Sequence, residues 1–198
     1  VRQCLMLDLG VEEPVLRGVL GKATAEELGA MEKALECKGD DPRLLLEYQQ
    51  LLKNSGASIE ERLAVYDRYP ELLKHRDDCY LDRLTLVSQQ GRYRDAIELA
   101  RVKRFHIYEG GEGKLTRHHG WQYTLMAREA QLAGDVEAAK NWFETALVYP
   151  DNYGEGRHYS AQEANIYYFT GKLCEKLGDA DGARAAYTAG ANQAPQVS

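Results

Sequence analysis

Two short glycine-rich stretches contain the residues most able to do chemistry in this chain. Each places a carboxylate between two glycines and then a cation, in Gly111-Glu112-Gly113-Lys114 and Gly154-Glu155-Gly156-Arg157. Glu109 precedes the first stretch, which therefore looks like a phosphate-binding loop. However, Tyr108 stands where that motif has its first glycine, and Leu115 stands where it has a hydroxyl residue. The sequence therefore excludes the phosphate loop.

Two roles remain for these loops. In a structural role, the glycines adopt positive φ, while Glu112 and Glu155 accept backbone N–H bonds or pair with Lys114 and Arg157 of the adjacent loop. In a ligand role, the repeated carboxylates form a row that binds sugar hydroxyls. The loops lie 43 positions apart, and such repetition suits both roles. We favour the structural one, in which Gly113 and Gly156 are both needed.

The histidines near these loops make a poor metal site. His118 and His119 are adjacent, so they cannot share one helix face, and His158 is distant in sequence. An independent hydrolase would need two carboxylates roughly 5–10 Å apart in a pocket, and an open helical surface rarely encloses one. We therefore predict no catalytic residue, no metal ligand, no cofactor and no enzymatic activity.

Composition describes an ordinary protein surface. The net charge is −6 with 28% charged residues of both signs, which argues against nucleic-acid binding. No apolar run reaches the roughly 18 residues of a membrane span, and the four cysteines are scattered without a C-x2-C pair. We expect a cytoplasmic chain with reduced thiols and no membrane partner. The opening Val and an unclear first helix lead us to expect a piece of a longer protein.

Amphipathic helices with readable ends must position the loops. Pro42 after Asp41 suits a helix start. Capping boxes are predicted at Thr24/Glu27, Ser58/Glu61 and Ser160/Glu163. We predict a less regular helical start over residues 1–40, with two short helices before residue 23. Helix pairs are predicted at about 41–74, 78–106, 119–149 and 160–193.

Residues 121–150 show the pattern of one pair most clearly. Gly134 suits the left-handed end of a first helix, and Asp135 suits the cap of a second. A stripe of small and large residues runs along each helix, in Tyr123, Met126, Ala127 and Ala130 and then in Ala139, Phe143 and Ala146. The two stripes are predicted to face each other.

This pattern resembles the tetratricopeptide repeat (TPR), with its A-x3-F core at Ala139 and Phe143 and its trailing Pro150. The turn glycines repeat after 43 and 44 positions, against about 34 in a standard unit, and the inserted loops supply the excess. The resemblance implies one all-α domain over 1–198. Its fold would be a TPR-like right-handed α-α superhelix of antiparallel helix pairs with extended inter-repeat loops.

A narrower resemblance comes from DDPRLLLEYQQL, ERLAVYDRYPELLKHRDDCYLDRLTL, RFHIYEGGEGK and YPDNYGEGR. Together they resemble the repeat region of large bacterial proteins in which an uncharacterised carbohydrate-enzyme-like β-sandwich domain precedes a TPR array. In that family we expect a Trp near Tyr108 and a Leu at Tyr153, so both positions are variants here. The resemblance implies a link to carbohydrate metabolism and gives this segment no reaction.

TPR arrays bind partners along a concave face formed by the first helix of each pair. The motif places eight residues there: Trp121, Thr124, Arg128, Gln131, Asn165, Tyr168, Lys172 and Glu175. Arg128 and Lys172 occupy equivalent positions and would offer a basic step to an acidic segment. Thr124 and Arg128 replace the Lys and Asn of the carboxylate clamp in chaperone-binding TPRs, so capture of a chaperone tail is not expected.

These features lead to one preferred function and one alternative. The preferred function is a non-catalytic TPR-type interaction or scaffold module that binds a protein, a peptide or a neighbouring domain of the same protein. The alternative is a carbohydrate-recognition module of a glycan-processing enzyme that uses the paired loops.

Overall fold

The computed structural model describes residues 23–159 and 161–193. Over these residues the chain is all-α with one 3₁₀ turn and no strand, so the predicted all-α class is confirmed. The helices are α1 Ala25–Cys37, α2 Pro42–Ser55, α3 Ile59–Arg68, α4 Pro70–Lys74, α5 Asp77–Gln89, α6 Tyr93–Val102, α7 Lys114–Leu132, α8 Val136–Thr145, α9 Ala164–Leu177 and α10 Ala180–Ala191. The short helices predicted before residue 23, and Ser160, lie outside the described residues.

Contacts divide the chain after Gln90 into two compact units. Unit 1 contains α1 to α5, and unit 2 contains α6 to α10. The single domain over 1–198 stays a prediction.

The helix starts of unit 1 follow the predicted caps. Thr24 and Ser58 each form a complete capping box, with Glu27 and Glu61 returning the bond to the cap residue. Asp41 caps α2, because its carboxylate accepts the N–H of Arg43 at 2.9 Å, and Pro42 is the first helical residue, as predicted. These side chains satisfy N–H groups that the first helical turn leaves unpaired.

The core of unit 1 contains a polar network among its leucines. Arg62 on α3 donates from Nη2 to the Asp82 carboxylate on α5 at 2.6 Å and from Nε to the Gln49 side-chain carbonyl at 3.2 Å. Tyr66, one turn after Arg62, donates its hydroxyl to the same Asp82 oxygen at 2.8 Å. The Arg62 side chain is only 9% exposed, so its charge depends on these partners.

The turns of unit 2 repeat, as predicted. Gly134 and Gly178 both have left-handed backbones, with φ of 80° and 77°. The carboxylates of Asp135 and Asp179 then accept the N–H groups of Ala138 and Gly182. Each aspartate thereby caps the second helix of its pair.

The predicted stripes of the central pair face each other in the core of unit 2. Ala127 on α7 and Ala139 and Phe143 on α8 are fully buried, and they cluster with Ile166 and Leu173 of α9. Phe143 stacks on Phe169, with ring centroids 5.7 Å apart. In the last pair, a Cβ on Gly171 would lie 2.4 Å from the Tyr187 ring, so the absence of a side chain lets α9 and α10 approach.

Two helix starts differ from the sequence expectation. α7 begins at Lys114, five positions before the predicted 119, so residues 114–118 are helix and not loop. Gly113, with φ of 70°, turns the chain into that helix. α9 begins at Ala164 and not at 160, with Glu163 at the cap position but without a capping bond from its side chain. That carboxylate is held by Tyr149 and Arg157 instead.

Candidate partner-binding cleft

The loops after α6 and α8 are bonded to each other. The backbone N–H of Phe105 donates to the Asn152 carbonyl at 2.8 Å. The Asn152 side chain donates to the carbonyls of Ala100 and Lys103 at 2.8 and 2.7 Å. Phe105 and Tyr153 then pack edge to face, 6.0 Å between ring centroids. The inserted loops therefore form a structured support beside the start of α7.

Glu155 plays the predicted structural role. Its carboxylate accepts the N–H of Gly113 at 2.9 Å, at the start of α7, where the helix dipole favours negative charge. His158 covers Gly113 so closely that a Cβ there would lie 2.7 Å from the imidazole. The two loops thus meet at Gly113.

The predicted pairing of Glu112 with Arg157 is wrong. Arg157 donates to the Glu163 carboxylate at 2.6 Å and to the Gln193 side chain at 2.5 Å, because Glu163 is the buried acid near it. The predicted pairing of Lys114 with Glu155 is also absent among the described residues, where Glu155 bonds the Gly113 N–H. Glu109 and Glu112 are exposed, and so is Lys114.

Glu163 is the buried carboxylate of this region, and its two oxygens have separate partners. Tyr149 donates its hydroxyl to one oxygen, and Arg157 binds the other. Burial and the adjacent Glu163 carboxylate raise the pKa of Tyr149 above its ordinary value, which keeps the phenol protonated as a donor. Sequence reasoning assigned Glu163 to a capping box and missed this role, because nothing in the local pattern shows that Tyr149 and Arg157 converge on it.

His119 is a core residue. Its Nδ1 lies 3.1 Å from the Tyr153 hydroxyl, and its Nε2 lies 3.2 Å from the Thr145 carbonyl. Its ring also packs against Tyr123 and Tyr149, and burial lowers its pKa. Both nitrogens are therefore engaged within the fold.

His118 faces another direction from its neighbour. Its ring meets Trp121 edge to face at 5.4 Å, and burial lowers its pKa to about 4. His118 is therefore neutral near pH 7 and supports the indole without adding charge.

A cleft of about 500 Å³ lies between the N-terminal half of α7, the loop before α9 and the first turn of α9. Three of the eight predicted concave-face residues line it, namely Trp121, Thr124 and Asn165. The Trp121 side chain is 40% exposed. Other lining residues, Arg117, Tyr149, His158, Gln162 and Glu163 among them, were not assigned to a binding face from sequence. Arg117 precedes Trp121 by one helical turn, a signal that was hidden by assigning residues 114–118 to a loop.

The other five predicted concave-face residues lie outside the lining of this cleft. Arg128 lies over the Phe169 ring, 5.6 Å from its centroid. Lys172 pairs with Glu175 at 2.5 Å, so its charge is already compensated. Tyr168 is exposed and Gln131 is half-buried. Of the two cations that the sequence placed side by side on this face, Lys172 is paired with Glu175 and Arg128 is not paired with an acid in the described residues.

The described residues contain no group of three or more His, Cys, Asp or Glu side chains arranged to hold a metal ion. In the same part of the chain, no helix combines the length and the apolar character needed to cross a membrane.

Comparison with known proteins gives weak likenesses. No family model matches the chain. Among solved structures, the chain is similar to MamA protein, at 12% identity and a TM-score of 0.49 over 96% of this chain and 90% of that chain. It is also similar to BtubC (BKLC) from P. vanneervenii, at 14% identity and 0.44 over 87% and 77%. A third is PilW, described as a widely conserved type IV pilus biogenesis factor, at 17% and 0.37 over 84% and 69%.

These neighbours are TPR-like helical-repeat proteins. At such identities and TM-scores, the likeness carries no argument about what the present chain binds.

Proposed function

We propose that this chain is a non-catalytic interaction module that binds an extended protein segment in the cleft between α7 and α9. The observation that carries the proposal is the partly exposed Trp121 ring inside a cleft. Thr124 and Asn165, which carry hydrogen-bonding side chains, line the same cleft. A rigid aromatic ring supplies contact area at little entropic cost, and side-chain amides and hydroxyls bond a peptide backbone well.

The helices on both sides of the cleft suit this role. The predicted face of α7 continues from Trp121 to Arg128, and that of α9 continues from Asn165 to Tyr168, which is 53% exposed. An extended segment can therefore contact residues beyond the cleft itself. The partner is a separate protein or a neighbouring domain of a longer bacterial protein, and the predicted cytoplasmic location belongs to the same proposal.

Carbohydrate recognition is the second candidate, and the same indole favours it. Aromatic rings stack on sugar faces, and the side chains of Gln162 and Asn165 can bond hydroxyls. The sugar site would lie in the cleft and not, as the sequence suggested, at the loop carboxylates, because the Glu155 carboxylate already accepts the Gly113 N–H. The cleft is a better sugar site than the carboxylates of the loops.

One selection separates the two candidates. A random library of peptides about twelve residues long and a panel of oligosaccharides are each tested against the full chain, its Trp121→Ala variant and a Leu132→Ala control. Leu132 is 89% exposed on the same helix, so its loss matches the removal of exposed apolar area. We expect peptides that bind the wild type and the control but not Trp121→Ala. Sugars lost in Trp121→Ala without any such peptide would overturn the proposal in favour of carbohydrate recognition, and no Trp121-dependent ligand of either class would overturn both.

A further inference from the structure

One face of α7 carries two arginines with an aromatic residue between them. Arg117, Trp121, Thr124 and Arg128 follow each other at spacings of four, three and four residues. This spacing aligns them along a single helical face. Trp121 and Thr124 line the cleft together with Arg117, and Arg128 continues the row beyond it.

The charges of both arginines are uncompensated within the described part of the chain. The Arg117 side chain is exposed and forms no hydrogen bond or ion pair there, although its backbone N–H donates to the Gly113 carbonyl at 3.1 Å. Arg128 is exposed and lies over the Phe169 ring without an acidic partner. Lys172, the other cation predicted for this face, is compensated by Glu175 at 2.5 Å.

Three acidic side chains close to this face of α7 in the sequence or in the cleft wall have other partners. Arg157 and Tyr149 hold Glu163 of the cleft wall, and Glu155 accepts the Gly113 N–H. Glu129, next to Arg128, pairs with Arg94 at 3.5 Å. Glu112 stands exposed in the loop before α7, where exposed Lys114 is also close in sequence. The α7 face therefore presents positive charge at both ends of an aromatic surface.

The spacing of the two cations sets the length of a matching ligand. Eleven residues of helix place the two Cα atoms about 16 Å apart. An extended peptide advances about 3.3 Å per residue, so about five residues span that distance. Trp121 lies about 6 Å along the helix from Arg117, which corresponds to about two residues of an extended chain.

We infer that the cleft takes an acidic extended peptide with two carboxylates about five positions apart. An apolar or aromatic side chain lies about two positions from one of them. One carboxylate binds Arg117, the apolar side chain contacts Trp121, and the second carboxylate binds Arg128. The inference rests on the proposed peptide-binding function and specifies its ligand.

The test uses fluorescently labelled peptides of equal charge at about 0.15 M ionic strength. Each contains two glutamates spaced three, five or seven positions apart, a phenylalanine two positions after the first, and neutral residues elsewhere. Reversed sequences are included because either chain direction satisfies the spacing. Binding is measured by fluorescence polarisation against the full chain.

We expect the five-position peptide, in one direction, to bind about tenfold more tightly than the other spacings. Arg117→Gln and Arg128→Gln should each weaken it by about five- to tenfold. Arg184→Gln should leave binding unchanged, because Arg184 is an exposed arginine on α10 and its replacement changes the net charge equally.

The outcomes separate this inference from the function on which it rests. Peptides that bind through Trp121 with equal affinity at every spacing, or library peptides that bind through Trp121 without acidic residues, would overturn the inference and leave the proposed function standing. The absence of any Trp121-dependent peptide, acidic or not, would overturn the proposed function itself.

Discussion

Each unit connects two of its helices through equivalent positions, but the interactions differ. Unit 1 connects α3 to α5 by a hydrogen bond, and unit 2 connects α8 to α9 by aromatic stacking. Tyr66 and Phe143 both lie eight residues after the cap of a second helix, Ser58 or Asp135. In unit 1, Tyr66 meets Asp82, 16 positions later, through a hydrogen bond. In unit 2, Phe143 stacks on Phe169, 26 positions later. Asp82 and Phe169 are each the sixth residue of their helix.

The inserted loop accounts for the longer spacing in unit 2 and for the different use of its polar groups. Arg62 of unit 1 occupies the position that Ala139 has in unit 2, four residues after the helix cap. Asp82 compensates the Arg62 charge inside the fold. In unit 2, aromatic packing joins the helices, and loop residues such as Asn152 and Glu155 make the polar connections. Unit 1 therefore buries an arginine in its core, whereas the Arg117 and Arg128 side chains of unit 2 are exposed and lack an acidic partner among the described residues.

Of the variants proposed here, Asp82→Ala should lower the free energy of unfolding most, because it removes the polar connection of unit 1. Asp82→Ala leaves the Arg62 charge and the Tyr66 hydroxyl without their acceptor. Breaking a buried pair costs 3–5 kcal/mol, and because the Asp82 side chain is 31% exposed we expect about 3 kcal/mol in urea denaturation.

The matched control replaces the whole pair. Arg62→Met with Asp82→Leu imitates the apolar solution of unit 2. It should recover the part of the stability lost to the buried Arg62 charge, because no charge stays buried, while the Tyr66 hydroxyl still lacks its acceptor. A double variant as unstable as Asp82→Ala would show that the two chemistries are not interchangeable.

The loops of unit 2 can be tested at two glycines of the same stretch. Gly154 has φ of 71°, and a Cβ there would lie 2.8 Å from the Phe105 carbonyl oxygen. Gly154→Ala should therefore destabilise the protein by about 2–3 kcal/mol in thermal melting. Gly156 has no positive φ and no atom within 4 Å of an added Cβ, so Gly156→Ala should stay within about 0.5 kcal/mol of wild type.

The structure also corrects the sequence hypothesis about which glycines these loops need. That hypothesis required both Gly113 and Gly156, whereas Gly113 has a positive φ and a close neighbour and Gly156 has neither. In the second stretch the constrained glycine is Gly154. Equal melting temperatures for the two alanine variants would contradict the described loop contacts.

The buried His118 should give unit 2 a pH dependence. Its pKa is about 4 in the folded protein, against about 6.5 when unfolded. The unfolded chain therefore binds the proton more readily, and stability falls as the pH drops below about 6.5. Between pH 7 and pH 5, wild type should lose about 1–2 kcal/mol more than His118→Phe, which keeps a ring against Trp121. Parallel curves for the two proteins would contradict the neutral assignment of His118.

Much of the fold could be predicted from the sequence, because helix ends and core stripes are local signals. The caps at Thr24, Ser58 and Asp135 and the packing of Ala139 depend on residues a few positions apart. The cleft was harder to predict, because its walls come from distant segments. The motif identified Trp121, Thr124 and Asn165, but the glycine-rich sequence before Lys114 hid the first five residues of α7 and with them Arg117.

The most direct test of a binding cleft at Trp121 is the fluorescence of that residue. The chain has two tryptophans, Trp121 and Trp142, so Trp142→Phe leaves only the cleft indole to report. The tightest peptide from the random library is titrated into Trp142→Phe and, as a control, into Trp121→Phe. We predict a saturable shift of emission in Trp142→Phe, at the concentrations where calorimetry detects binding, and no shift in Trp121→Phe. Calorimetric binding without any change in the Trp121 emission would contradict the assignment of this cleft as the partner site.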